Sequence, residues 1–290
     1  MKIAMLGTGL MGYPMCEKLV EAGYDVIVYN RTRKKVEPLS ELGIEIADSA
    51  AGAVREADCV LLMLSDANAI FDMLFGNANS ISFNDKTIIQ MGTILPQESR
   101  EFQQKIEVKG GEYLEAPVLG STPDVREKRL ILMIGATQAQ FHHWEKLLRT
   151  FGSDLYWIGP VGQAAAVKLA LNQLIVSETA AFSLSLGMVL KSGADPEMFM
   201  SILRRSALYA PTFDKKYHRM LERNFKNPNF PTRHLLKDLD LIIADAQTLG
   251  LSTAILKAAR EQIVLAIESG FADEDYSAIY NAIHPGTVKK

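Results

Sequence analysis

Lys2-Ile3-Ala4-Met5-Leu6-Gly7-Thr8-Gly9-Leu10-Met11-Gly12, at the start of the chain, decides the fold. Lys2 to Leu6 reads as a short buried strand, and Met15, Leu19 and Val20 behind it have helical spacing. Between them stand three glycines at G-x-G-x-x-G spacing, the turn of a dinucleotide-binding βαβ unit. Gly7 permits the tight turn, Gly9 lets a pyrophosphate approach the backbone, and Gly12 lets the helix pack close to the strand. The helix N-terminus then offers N–H groups and a positive dipole end to phosphates.

Working outward, Tyr24 to Tyr29 reads as a second strand at the spacing of a right-handed crossover. It ends in Asn30-Arg31-Thr32. An NAD site places Asp or Glu here to accept from the ribose 2′-hydroxyl. This chain has no carboxylate there; a guanidinium forks onto a 2′-phosphate and a hydroxyl donates to it. The reading is therefore NADP over NAD, resting on Arg31 and Thr32, while Arg33 and Lys34 are the solvated start of a helix.

Further apolar runs alternate with helical patterns. Cys59–Leu64, Lys86–Met91, Tyr113–Val118, Leu130–Ile134 and Asp154–Ile158 read as strands. The first three lead into Ser65-Asp66, Gly92-Thr93 and Leu119-Gly120-Ser121, and ligands bind beyond the carboxyl ends of such strands. After Gly159-Pro160-Val161-Gly162 the strand signal stops. Ala164 to Lys191 reads as one helix of roughly 28 residues, about 42 Å long, apolar on most sides and expected to be buried on most sides. Further helices follow at Pro196–Arg205, Phe213–Arg223, His234–Leu249, Ser252–Glu268 and Tyr276–Ile283. The expected architecture is an α/β Rossmann domain over residues 1–162, followed by an all-α domain over 163–290 that begins with the long linking helix.

Bulk properties narrow the class. The 290 residues are 48% hydrophobic and 22% charged, an ordinary globular composition. A net charge of −3 gives no reason to expect nucleic acid or an anionic membrane as partner. The most apolar stretch, Ala164 to Leu190, is interrupted by Lys168, Asn172, Gln173 and Glu178, which argues against a membrane span. Cys16 and Cys59 sit in apolar-periodic stretches and read as buried free thiols, with no disulfide framework and no metal spacing. Strand and glycine turn begin at once, without a secretory leader pattern, so a cytoplasmic location is expected.

Lys168 and Asn172 are four residues apart, so they share one face of the long helix. A lysine in an apolar stretch is disfavoured as a cation, which suits it to proton transfer. The bland alternative is a lysine near a helix start that snorkels to water.

Together these pieces resemble the β-hydroxyacid dehydrogenase family, of the 3-hydroxyisobutyrate dehydrogenase type. Gly7–Gly12 is similar to its cofactor turn, and Glu115-Ala116-Pro117-Val118-Leu119-Gly120-Ser121 to its substrate loop. The stretch from Gly159 through Lys168 to Asn172 resembles its G-x-x-G-x-x-x-K-x-x-x-N signature, and Lys237-Asp238-Leu239 its late K-D-L element. The resemblance spans essentially the whole chain and is closest to the NADP-preferring glyoxylate/succinic semialdehyde reductases through Asn30-Arg31-Thr32.

The resemblance implies roles. Lys168 would be the catalytic acid/base, with Asn172 holding substrate and lysine in register. Gly7, Gly9, Leu10, Met11, Gly12, Asn30, Arg31 and Thr32 would hold NADP. Thr93 would lie by the nicotinamide, with Leu64 and Ser65 lining the same cleft. Lys237 would reach cofactor and substrate, with Asp238 as its structural neighbour. Leu119, Gly120 and Ser121 would meet the substrate, the Gly120-Ser121 amides and the Ser121 hydroxyl offering donors to its carboxylate. The implied activity is NADPH-dependent reduction of small aldehyde acids. The alternatives are oxidation of a 3-hydroxyisobutyrate-type substrate, an imine reductase, against which Lys168 argues, and a non-catalytic NADP-binding module. A homodimer or homotetramer is implied as well. The chain departs from its relatives at Leu119, where they carry serine, and at Lys128, where they carry glycine.

Overall fold

Five short runs of Val, Ile, Leu and Met, each buried on both faces, assemble the sheet that carries everything else in the N-terminal half. The computed structural model describes residues 1–76 and 81–286. The chain divides into two compact units, Met1–Leu169 and Ala170–Lys290.

In the first unit the strands are β1 (Lys2–Leu6), β2 (Asp25–Tyr29), β3 (Glu45–Ile46), β4 (Cys59–Leu62), β5 (Thr87–Gln90), β6 (Glu112–Glu115), β7 (Val118–Leu119), β8 (Ile131–Gly135) and β9 (Asp154–Gly159). Their order is β3-β2-β1-β4-β5-β6-β8-β7, with β9 pairing β8. β1 to β6 are mutually parallel; β8 runs antiparallel to β6 and β7 and parallel to β9. Side chains alternate in the register the pleat demands. Ile3, Met5, Val26, Val28, Cys59 and Leu61 face one layer, and Ala4, Leu6, Ile27, Val60 and Leu62 the other. Helices α1 (Gly12–Glu21), α2 (Ala50–Glu56), α3 (Ala67–Phe75), α4 (Pro96–Glu107), α5 (Thr122–Arg126) and α6 (Gln138–Leu148) accompany the sheet. α1 and α6 cover the first layer with Met15, Leu19, Trp144 and Leu148; α2, α3 and α4 cover the second with Val54, Ile70 and Phe102. Cys16 and Cys59 are buried free thiols, and burial pushes both well above the ordinary thiol range.

The expected strand Tyr113–Val118 is two strands. β6 stops at Glu115, and the chain resumes as β7 after Ala116-Pro117. Pro117 has no N–H to give a ladder, and here the chain leaves its parallel neighbour β5 and continues along antiparallel β8 alone.

The long helix α7 (Gln163–Lys191) crosses from the first unit into the second. The second unit continues with α8 (Pro196–Arg204), α9 (Pro211–Leu221), α10 (Thr232–Thr248), α11 (Ala254–Ala266) and α12 (Ile279–Ile283). Its core gathers Phe182, Leu186, Met200, Tyr217, Met220 and Tyr280. The expectation that α7 is buried on most sides is not met. Leu169, Asn172, Val176, Thr179, Ser183 and Leu186 form one buried stripe at spacings of three and four. The opposite face is apolar but open, with Leu174 50%, Leu184 55% and Met188 65% exposed. Helical periodicity records which side chains share a face; it does not record whether a neighbour covers that face. By length and composition alone α7 is apolar enough to cross a bilayer. Three polar residues, Asn172, Thr179 and Ser183, lie on the packed stripe, where Asn172 meets α10 and Ser183 meets Met220 of α9.

Candidate active site

The carboxyl ends of the parallel strands form one aligned row. Leu6 pairs with Tyr29 on one side and Leu62 on the other, Leu62 with Gln90, and Gln90 with Glu115. The strand order reverses at β1, where β2 lies on one side and β4 on the other. The glycine turn leaves the sheet at this switch point, where open α/β sheets bind ligands.

The three glycines of the turn differ as their spacing predicts. Gly7 has φ 98°, in the region that favours glycine, and its N–H donates to the Tyr29 carbonyl at 3.1 Å. A Cβ on Gly12 would run into the Gly7 carbonyl oxygen, so only glycine lets α1 sit this close. A Cβ on Gly9 would meet nothing within 4 Å, so the space beside it is open to a ligand. These features fit a dinucleotide pyrophosphate. Gly12→Ala is expected to cost about 1–3 kcal/mol of stability through overpacking. Gly9→Ala is expected to melt like the wild type yet bind a nicotinamide dinucleotide more weakly. Thermal melting with and without NADPH separates the two effects.

Asn30 ties the turn to the end of β2. Its Oδ1 accepts from the Thr8 N–H at 3.3 Å, and its Nδ2 donates to the Thr32 carbonyl at 3.0 Å. Arg31 and Thr32 are exposed. Arg33 pairs with Asp48 at 2.9 Å, whereas Arg31 makes no ion pair among the described residues. Beyond β4, Leu64 is half-buried and Ser65 donates to Asp66 at 2.7 Å, while Asp66 caps α3. Beyond β5, the Gln90 side chain brackets Gly92, accepting from its N–H at 2.5 Å and donating to its carbonyl at 3.0 Å. That clamp fixes the backbone leading to Thr93, and a Cβ on Gly92 would come within 2.6 Å of the Leu64 carbonyl.

The substrate-like loop holds a feature the sequence did not disclose. Ser121 gives both its N–H and its hydroxyl to Asp124 Oδ2, at 2.8 and 2.9 Å. Two of the donors expected to meet a substrate carboxylate, both from Ser121, are thus directed to the chain's own carboxylate. Leu119 is half-buried, and Thr122 Oγ1 donates to the Leu10 carbonyl at 3.1 Å, tying this loop to the glycine turn. Lys128 stands at φ 55°, so the turn keeps a left-handed residue without the glycine that resemblance implies; such a residue costs about 1–2 kcal/mol.

α7 starts on an anchor that sequence reasoning passed over. Glu115, at the end of β6, is 1% exposed. Its Oε1 accepts from the backbone N–H groups of Gly162, Ala164 and Ala165 at 2.8, 2.9 and 3.1 Å. Its Oε2 accepts from the Ser99 hydroxyl, which also meets the Tyr113 hydroxyl at 2.9 Å. Burial pushes the Glu115 carboxyl above the ordinary range, with Ser99 and the three amides pulling it back down. Lys168 follows in the second turn of α7 and is half-buried.

In the second unit Asn172 is 2% exposed, and its Nδ2 donates to Asp238 Oδ2 at 2.7 Å. Asp238 is buried as well, and its Oδ1 pairs with Lys237 at 2.6 Å. Asn172 Oδ1 has no hydrogen-bond partner among the described residues. A buried acceptor without a donor is costly, and this one is aligned by a carboxylate. The residues missed by sequence reasoning are therefore Glu115, Asp124 and, as the holder of Asn172, Asp238. Glu115 stood in a recognised motif; the other two partnerships depend on how segments pack.

The sheet order, its aligned edge and the glycine turn define a Rossmann dinucleotide-binding protein with an appended helical unit. A family model described as the NAD binding domain of 6-phosphogluconate dehydrogenase matches residues 2–159. A second, described as NAD-binding of NADP-dependent 3-hydroxyisobutyrate dehydrogenase, matches residues 162–283. Glyoxylate/succinic semialdehyde reductase 1 of Arabidopsis thaliana is 30% identical over 285 residues, 98% of each chain. The 2-hydroxy-3-oxopropionate reductase of Escherichia coli (strain K12) is 30% identical over 98% of this chain and 97% of its own. The crystal structure of 3-hydroxyisobutyrate dehydrogenase from Salmonella typhimurium shares the fold at TM-score 0.85 and 19% identity, over 97% of this chain and 99% of that one. The chain belongs to the 3-hydroxyisobutyrate dehydrogenase family of NAD(P)-dependent oxidoreductases. The resemblance read from the four motifs is borne out.

Proposed function

We propose that the protein is an NADPH-dependent reductase of small aldehyde acids of the glyoxylate or succinic semialdehyde type. The observation that carries this reading is the placement of Lys168 one turn before an oriented Asn172 on α7, in a chain whose relatives reduce such aldehydes by name. NADP would be held by Gly7, Gly9, Leu10, Met11 and Gly12 at the pyrophosphate, by Asn30, Arg31 and Thr32 at the 2′-phosphate, and by Leu64, Ser65 and Thr93 toward the nicotinamide. When bound, the reduced nicotinamide supplies the hydride. Lys168, as an ammonium, donates a hydrogen bond to the substrate carbonyl oxygen and delivers the proton that oxygen needs on reduction. Asn172, held by Asp238, keeps substrate and lysine in register, and its unpartnered Oδ1 is the acceptor for a hydroxyl or ammonium hydrogen. Lys237, already paired with Asp238, would supply a cation for the substrate carboxylate. The open apolar face of α7 supports a homodimer or homotetramer, and the two buried free thiols support a cytoplasmic setting.

The test is a panel of aldehyde acids and hydroxy acids with NADPH and NADH, followed by nicotinamide absorbance. Turnover of an aldehyde acid with NADPH is expected; no turnover of any panel member sinks the reading. Asp124→Ala frees the Ser121 donors. It is expected to lower KM for a carboxylate-bearing aldehyde about tenfold, the worth of one hydrogen bond to a charge, while KM for a neutral aldehyde of similar size stays unchanged. Equal effects on both substrates would show that Asp124 does not govern carboxylate recognition.

A further inference from the structure

We infer that Glu115 is a positioning residue for Lys168: it fixes the first turn of α7 on the end of β6 and places a negative charge at the helix N-terminus. This rests on the reading of Lys168 as the proton donor.

Among the described residues, four groups reach the Glu115 carboxylate with a hydrogen to donate. Three are backbone amides from the start of α7, and the fourth is the Ser99 hydroxyl of α4, itself linked to Tyr113 of β6. Three amides converging on one oxygen favour the ionised form, and burial opposes it. The guanidinium of Arg100 of α4 lies close against Gly162, whose N–H donates to Glu115. From β8, Gly135 leaves the room: a Cβ there would collide with the Glu115 side chain.

Two consequences reach Lys168. The first is geometric. Ala164 and Ala165 are four and three residues before Lys168, so they share its helix face, and side chains on a helix tilt toward its N-terminus. Lys168 therefore extends back over the turn that Glu115 holds. Reacting groups tolerate little misplacement; about 1 Å can cost 10²-fold. The second is electrostatic. The N-terminus of a helix disfavours a nearby cation, and Lys168 stands in the second turn of a helix of 29 residues. The Glu115 carboxylate offsets that field and keeps the ammonium, the form that donates.

The experiment compares Glu115→Gln and Glu115→Ala with the wild type in three ways. Amide exchange reports whether the first turn of α7 stays protected. Competitive trace acetylation across pH reports the titration midpoint of the Lys168 amine and needs no turnover. Steady-state kinetics report kcat and the KM for NADPH. In Glu115→Ala, exchange protection at Ala164 and Ala165 is expected to fall and kcat to drop about 10- to 100-fold, with KM for NADPH unchanged. Glu115→Gln keeps an acceptor, so protection and most of kcat should return. Its Lys168 midpoint, and with it the basic limb of the pH profile, should move down by about half a pH unit. A wild-type Lys168 midpoint in Glu115→Gln, or a wild-type kcat in folded Glu115→Ala, overturns the inference. If Glu115→Ala does not fold, the midpoint in Glu115→Gln decides alone. If the wild type reduces no aldehyde while the midpoint shifts as stated, the proposed function fails and the inference stands.

Discussion

Lys168→Ala is expected to lower kcat for aldehyde reduction by about 10²–10⁴-fold, the usual worth of a positioned general acid, while NADPH binding stays close to wild type. The separation follows from where the residues sit. The glycine turn, Asn30 and Arg31 hang from β1 and β2, whereas Lys168 rides on α7, anchored through Glu115 at the end of β6. Removing the amine leaves the turn and its Asn30 clamp untouched. It removes the one side chain proposed to bring both positive charge and a proton to the carbonyl oxygen. Lys168→Arg is the informative companion. Arginine keeps the charge but does not release a proton at accessible pH, so it should retain substrate affinity better than alanine and still fail in turnover. Binding is read by nicotinamide fluorescence and turnover by absorbance. An equal loss of NADPH binding and kcat in Lys168→Ala would reject its catalytic role.

Arg31→Glu is expected to reverse cofactor preference. Arg31 is exposed, and among the described residues no carboxylate competes for it, while its neighbour Arg33 is paired with Asp48. A hydrogen bond to a charged group contributes about 1.5–3 kcal/mol, so losing it weakens NADPH roughly 10- to 100-fold. The new carboxylate would also repel the 2′-phosphate and accept from the 2′-hydroxyl of NADH. NADH should therefore bind better than before, and the ratio of kcat/KM values should move further than either value alone. Arg33→Glu serves as control and should shift the ratio much less. An unchanged ratio in Arg31→Glu would rule out the specificity argument.

The parts of the molecule that were legible in the sequence are those governed by local spacing. Three glycines between a strand and a helix gave the turn, and in the structure they divide into a positive-φ position, an open position and a close approach. Apolar runs gave the strands, and the long Ala-, Leu- and Val-rich stretch after Gly162 gave a helix ending at Lys191. Partnership was not legible where it joins distant segments. Asp238 was visible only as the neighbour of Lys237, and nothing local says that its other oxygen holds Asn172. Ser121 looked available because a sequence shows a hydroxyl without showing what already accepts from it; the acceptor was Asp124, three residues on. The break at Ala116-Pro117 had a local signal in the proline, but the apolar run around it was the stronger pattern. Coverage was equally out of reach, as the open face of α7 shows.

The absence of a side chain at Gly135 has a meaning in descent. The space it leaves is filled by Glu115, so the size of one side chain limits the other although the two lie on different strands. A lineage that enlarged Gly135 would first have to shorten or lose the acid, and with it the footing of the lysine helix. A lineage that lost the acid would be free to let Gly135 drift. Across diverging relatives the pair should therefore be kept or abandoned together.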